Sequence, residues 1–494
     1  MTSRMFVLSF VAFSFACLMA LSSGCAAAKP AIAVNSYENG ETVRYPLVLL
    51  KGELADRAIS EVTATNTSSK RDSRDMQGPA YQGRFKVLAE LVPGENRLAI
   101  RAGAQTTDFV LHYKPQTNPY KVRAVFFTDK TGDPTYESQF KDDSQNNRDK
   151  WDASLKLMQM FTAEEMRRNG YGRKTFNLEL DEDGKVIVHI AKGKGSFEEM
   201  QKIEGGAVYD PAAEAIHEQL PKGPYKNLVC VAFSRHNKQT GRASAYTALG
   251  GDDVALMGGA CFYTWPTGVK NILKTFLSDV QIDKANFHAD DRERYAVWAT
   301  AATTVGSGLH EVGHTFTLPH TLSHKRGIML RGADSLNRYF SFIDPPCDTN
   351  NRQYTRFPDS EQAYWSDVSA AALAPSRWLA LDDRTYTQAN TISFAIDAKT
   401  GELVARSDDG LAFLCVELPG QAEDFDKLAN LTALPKERRL SLAAIAARHK
   451  TSRLSVRAED GMGHYRDANL QSMLDKDPAF APLKALFPAE PAKK

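Results

Sequence analysis

The chain has 494 residues, enough for about three domains at roughly 150 residues each. Charged residues make up 24% and hydrophobic residues 43%, too apolar a balance for a disordered chain. Lys and Arg total 61 against 60 Asp and Glu, so no basic excess marks a nucleic-acid binder, and beyond the N-terminus no run of 18 apolar residues suits a multi-span membrane protein.

Arg4 precedes an apolar run over residues 5–21, followed by Ser22, Ser23, Gly24 and Cys25. A charged start, an apolar stretch and a small-residue exit predict a secretory signal over residues 1–24. The Cys directly after Gly resembles a bacterial lipobox, which implies cleavage before Cys25 and lipidation of its thiol. Residues 25–30 then form a tether. The expected protein is exported, a cell-surface or outer-membrane lipoprotein or otherwise secreted or periplasmic, and meets the membrane only through the lipid on Cys25. Beyond the leader, Cys230, Cys261, Cys347 and Cys415 are too far apart for a dense disulfide framework or a Cys-based zinc site, though one or two bridges are open to them.

Residues 31–116 alternate in the manner of short strands, at 43–50, 61–64, 83–91, 96–101 and 108–113, with turn residues such as Pro93 and Gly94 between them. This spacing predicts an immunoglobulin-like β-sandwich with no clustered His or carboxylates, a spacer or docking module. Residues 117–378 mix strands and helices. A buried strand is expected at 122–127. An amphipathic helix over 152–169 follows, with Leu155, Met158, Phe161 and Met166 on one side. A hairpin joins 176–180 to 186–190, another buried strand lies at 228–233, and extended runs broken by glycines fill 245–264. A long helix spans 290–316. Residues 379–466 return to strands at 392–396, 403–406, 411–418 and 453–456, with one helix at 441–448. The tail, 467–494, contains Pro478, Pro482, Pro488 and Pro491 and is expected to be loosely ordered. The fold class is α+β: a mixed sheet with an active-site helix, flanked by two β-rich domains.

The chemistry is concentrated in His310-Glu311-Val312-Gly313-His314-Thr315-Phe316-Thr317-Leu318-Pro319-His320. Four of the 11 His residues, His310, His314, His320 and His324, fall in this neighbourhood. Positions i and i+4 share a helix face, so His310 and His314 can give two imidazoles to one ion. Glu311 is rotated off that face and can reach a water held by the metal. Pro319 disfavours continuation of the helix, and a bend there brings His320 back as a third ligand. Three neutral imidazoles suit one tetrahedral zinc with a fourth position for water. His324 stands as an alternative third ligand.

Gly327-Ile328-Met329 resembles the Met-turn, and with HExxHxxxxxH it makes the chain resemble the metzincin clan of zinc peptidases. Gly327-Ile328-Met329-Leu330-Arg331 and Leu336-Asn337-Arg338-Tyr339-Phe340 further resemble a little-characterised group of metallopeptidases carrying GxMLR and LNRxF. The resemblance covers the middle domain. It implies a metzincin-like fold ending in a helix near 361–373, Met329 beneath the zinc, and substrate lying along an edge strand within 255–263. Asn337 and Arg338 read as structural supports. Thr317 stands where metzincins have Gly, so either the turn is built differently or the site is strained.

The expected function is that of an exported zinc-dependent endopeptidase acting on polypeptide or glycoprotein. A zinc-bound water attacks the peptide carbonyl, with Glu311 as general base. Two other readings stay open: a surface binding or adhesion lipoprotein with an inactive peptidase domain, and a zinc amidase or hydrolase of cell-envelope glycan. Retention of Glu311 weighs against the first, because holding zinc needs no base.

Overall fold

The computed structural model describes residues 30–418, 421–426, 433–449, 451 and 453–487. The expected signal and Cys25 lie outside these residues. No helix among the described residues is long and apolar enough to cross a membrane.

Eight strands between Ile32 and Tyr113 form the first sheet. Asp75–Tyr81 pairs first with Glu61–Asn66 and then, at Ala80 and Tyr81, with Arg84–Glu90, which carries the sheet from one layer to the next. Alternating burial along Glu61–Asn66 and Asp75–Tyr81 is the period-two pattern of strands with one face inward. The strand expected at 43–50 is two strands. Glu41–Val43 runs parallel to Gln105–Tyr113, whereas Leu47–Leu54 pairs with Arg84–Glu90. Pro46, which has no N–H to give a ladder, separates them.

The N-terminal sheet is not a loosely attached spacer. A single apolar cluster runs from Ile32 through the middle of the chain to Cys415. Charged groups also cross the junction. Glu90 accepts from the Lys156 ammonium at 2.8 Å and from Arg71 at 2.7 Å. The Tyr37 and Tyr45 hydroxyls both donate to Glu164 at 2.7 Å, and Arg173 holds the same carboxylate at 3.0 Å. Lys86 donates to the backbone oxygens of Arg338 and Ser341, each at 3.0 Å. Burial pushes its ammonium down to about 8.

In the middle of the chain, Lys121–Thr128, Tyr225–Val231 and Val254–Gly258 are parallel neighbours. Their side chains alternate between two cores. Ala124, Phe126, Leu228, Cys230 and Ala255 face the helices Asn147–Arg168 and Val297–Thr315, and Val125, Val229 and Leu256 face the helix Tyr209–Gln219. The expected hairpin is reduced to an isolated bridge between Leu180 and Val186, because Asn177–Leu178 and Val188–Lys192 each pair parallel with Lys121–Thr128 instead. The edge near the helix Val297–Thr315 also differs from expectation. Val254–Gly258 is an interior strand, and the edge is Ala248–Gly251, antiparallel to it. Gly259–Thr264 is a 3₁₀ segment.

The helix read as amphipathic over 152–169 is Asn147–Arg168, and every residue from Lys150 to Met166 is buried. Its would-be solvent face lies under the N-terminal sheet. Its polar residues are therefore paired internally: Lys156 with Asp152 at 2.9 Å, and Lys150 with the Tyr263 and Trp265 carbonyls at 2.8 Å. The final helix of this part is Asp367–Leu373, and the Ser366 hydroxyl accepts from the Ser369 N–H at its start.

Beyond it lie a three-stranded and a four-stranded sheet. The segment expected to be loose contributes strand Tyr465–Asn469 and helices Leu470–Leu474 and Ala481–Lys484. Leu470, Met473, Leu474 and Phe487 fill the C-terminal core, an apolar gain that prolines alone do not forbid. Cys230, Cys261, Cys347 and Cys415 are buried.

Lys156→Ala leaves the Glu90 and Asp152 carboxylates buried without that ammonium. It is expected to lower unfolding stability by about 3–5 kcal/mol in urea denaturation, and a Glu90→Gln/Lys156→Met pair is expected to recover part of the loss.

Candidate metal centre

The helix bearing His310 and His314 spans Val297–Thr315, starting later than the 290 expected from pattern alone. Arg292, Glu293 and Tyr295 have positive φ, which no helix tolerates. Asp291, wholly buried, instead organises the entry, accepting from the Ala296 N–H at 3.2 Å and from the Thr300 hydroxyl at 2.8 Å.

Two glycines let this helix approach the Met329 segment. A Cβ at Gly306 would lie 2.6 Å from the Ala333 Cα, and one at Gly313 would lie 2.6 Å from the Met329 Sδ and 3.2 Å from Trp365. Met329 is fully buried beneath the helix. The adjoining Ile328 oxygen lies 2.7 Å from His310 Nδ1, and the Leu318 oxygen lies 2.8 Å from His314 Nδ1. A carbonyl oxygen can only accept, so both rings carry their proton on Nδ1 and turn an Nε2 lone pair outward.

The helix ends in a Schellman turn. The Thr317 N–H donates to the His314 oxygen at 2.8 Å and the Leu318 N–H to the Gly313 oxygen at 3.0 Å. Thr317 itself has φ +71°, the left-handed conformation usually left to Gly. Of the two alternatives, the turn is not built differently: it keeps the geometry usually left to Gly, and a β-branched residue occupies it. Its hydroxyl donates to the Phe316 oxygen and accepts from the Arg457 guanidinium of the C-terminal sheet.

This turn carries His320 to the two helical histidines. Ring centroids are 4.7 Å apart for His310 and His314, 5.2 Å for His310 and His320, and 4.8 Å for His314 and His320. One nitrogen from each ring lies within 4.8 Å of the others. His324 is not in this group. It sits beside Tyr364 and Asp367, at 3.5 and 3.7 Å.

Burial pushes His310 down to about 4 and also lowers His314, so both are neutral imidazoles near pH 7, the form that ligates metal. Three imidazole nitrogens with an open side toward solvent at His320 fit zinc. Glu311 is 6% exposed, and burial raises it to about 7 against the opposing Gly250 N–H. Gly250 belongs to the edge strand, and a Cβ there would lie 2.4 Å from the Glu311 backbone oxygen. Edge strand and helix are thus in direct contact.

Asn337 and Arg338 support the scaffold. Asn337 donates to Asp344 at 2.7 Å, and Arg338 pairs with Asp344 at 2.9 Å. Sequence reasoning missed Asp291, Gly250 and Arg457. The glycine pair Gly250-Gly251 was a visible signal for close backbone approach. Arg457 had none, since it meets Thr317 across 140 positions. Cys25 lies outside the described residues.

His320→Ala is expected to remove bound zinc from the purified protein, read by elemental analysis, whereas His324→Ala is expected to retain one equivalent.

Residues 31–408 match a family described as "Putative peptidase family". A "putative zinc metalloproteinase" of Schizosaccharomyces pombe is 24% identical over 339 residues, covering 64% of this chain and 55% of that protein. One of Saccharomyces cerevisiae is 26% identical over 302 residues, covering 53% and 42%. The chain spans about half the length of these curated relatives. Among solved structures, catalytically inactive OgpA from Akkermansia muciniphila in complex with an O-glycopeptide is similar at a TM-score of 0.44 and 13% identity, over 71% of this chain and 92% of that one. With more than half its length inside the family match, the chain belongs to this peptidase family.

Proposed function

We propose that the chain is an exported zinc-dependent endopeptidase of metzincin type, with His310, His314 and His320 as zinc ligands, Met329 as the Met-turn and Glu311 as general base. The observation that carries this reading is the convergence of three imidazole nitrogens within 4.8 Å beside a buried carboxyl raised to about 7. When bound, zinc supplies Lewis acidity, lowering the pKa of a coordinated water and polarising the scissile carbonyl. Glu311, near neutrality in its proton affinity, takes a proton from the attacking water and returns it to the leaving amine. The backbone oxygens of Ile328 and Leu318 keep His310 and His314 in one tautomer throughout. No further strand among the described residues pairs with the outer edge of Ala248–Gly251, which supports binding of an extended polypeptide there by strand addition. Export and a lipid anchor at Cys25 complete the proposal and rest on the sequence alone.

Glu311→Gln is expected to lower kcat on a quenched, denatured polypeptide by about 10²–10⁴-fold while zinc content stays at one equivalent. Chelation of the wild type should abolish cleavage, and added zinc should restore it. A zinc-loaded wild type that cleaves no more than Glu311→Gln would overturn the peptidase reading.

A further inference from the structure

The last strands of the chain turn a polar face toward His314. In the sheet of Leu411–Leu418, Ser455–Asp460 and Tyr465–Asn469, side chains alternate between faces. Leu414, Val416, Val456 and Ala458 fill the C-terminal core. Phe413 and Cys415, on the opposite face, join the large cluster of the rest of the molecule. Glu417 follows Cys415 by two, and Arg457 stands opposite both Cys415 and Asp467. Glu417, Arg457 and Asp467 therefore share the inward face. With Gly250, His314 and Thr317 they line one cleft of about 430 Å³.

Charge on this wall does not balance. Arg457 is engaged by Glu459, at 2.8 and 3.1 Å, and by the Thr317 hydroxyl. Glu417 is 5% exposed, and its one hydrogen-bond contact among the described residues is the Cys415 thiol at 3.7 Å. Neither Glu417 nor Asp467 has an ion-pair partner among the described residues. Across the cleft, the Lys226 ammonium is turned to the Asp252 oxygen and the Trp378 ring. Glu417 is nearly buried and Asp467 is exposed, and the cation that acts on both is Arg457, which Glu459 already pairs. Two carboxyl groups sharing one already paired guanidinium, on a cavity that a candidate metal ligand also lines, suit a cation arriving from outside.

We infer that the C-terminal sheet supplies a subsite of the cleft for a cationic group of a polypeptide, with Glu417 and Asp467 as its counter-charges. The inference rests on the peptidase reading. The cation is an ammonium or guanidinium, from a Lys or Arg side chain or from the chain's own α-amino group.

The test is equilibrium binding of synthetic peptides to the zinc-loaded full chain carrying Glu311→Gln, so that no turnover is needed. The peptides differ only in Lys, norleucine or Glu at one scanned position, each with a free or acetylated N-terminus. At one position Lys is expected to bind about tenfold more tightly than norleucine. A preference that follows the free terminus instead assigns the subsite to the α-ammonium. Either preference is expected to vanish in Glu417→Gln/Asp467→Asn, and Asp467→Lys is expected to favour the Glu peptide, a gain that misfolding cannot produce. Equal binding of all peptides, no binding at millimolar concentration, or a preference unchanged in the double variant overturns the inference. Failure of the wild type to cleave peptides that bind in this pattern counts against the peptidase reading and leaves the subsite standing.

Discussion

The site depends on how two imidazole rings are held by backbone oxygens. Ile328 fixes His310 and Leu318 fixes His314, and each carbonyl comes from a segment packed against the helix that bears the ring. A metal ligand must present a lone pair in a set direction, and a ring free to flip would present the wrong nitrogen much of the time. The close approach that makes these contacts requires Gly at 306 and 313, where any side chain would meet the Met329 segment. The turn at Thr317 is the second half of the same device, since it reverses the chain in time for His320 to join the pair.

Around this centre the molecule is unusual in how much charge it buries. Lys86, Lys150 and Lys156 are nearly or wholly out of solvent, and each is satisfied by carbonyls or carboxylates from distant segments. Such contacts stabilise less than equivalent apolar packing, but they are intolerant of misalignment. Lys86 reaches across from the N-terminal sheet to the Arg338–Ser341 backbone, and Lys156 ties the first helix to Glu90. The flanking sheet therefore acts as a brace for the middle of the chain.

Local chemistry was legible in the sequence and distant chemistry was not. The i, i+4 histidines follow from short-range geometry, and the structure brings the three rings together, with the reversal at Thr317 rather than at Pro319, while Met329, singled out by resemblance to the Met-turn, is buried beneath the helix. Strand positions in the C-terminal part were also readable from alternation. The first helix was read as amphipathic because one face was taken as solvent-exposed, and the N-terminal sheet, read as a spacer or docking module, covers that face. The tail was expected to be loose because of its prolines, yet its described residues form short helices whose apolar side chains join the C-terminal core. The misplaced edge strand has a different origin: Val254–Gly258 is apolar on both faces, which marks an interior strand, while the less apolar Ala248–Gly251 forms the border.

The contact between Arg457 and Thr317 joins two distant stretches of the chain. Thr317 falls within the stretch matched by the family, and Arg457 lies past its end at residue 408. A turn that glycine would adopt unaided is here steadied by a later part of the polypeptide. A substitution in that outlying portion can therefore, through one guanidinium, adjust the posture of the turn that carries His320 without altering any residue of the histidine cluster.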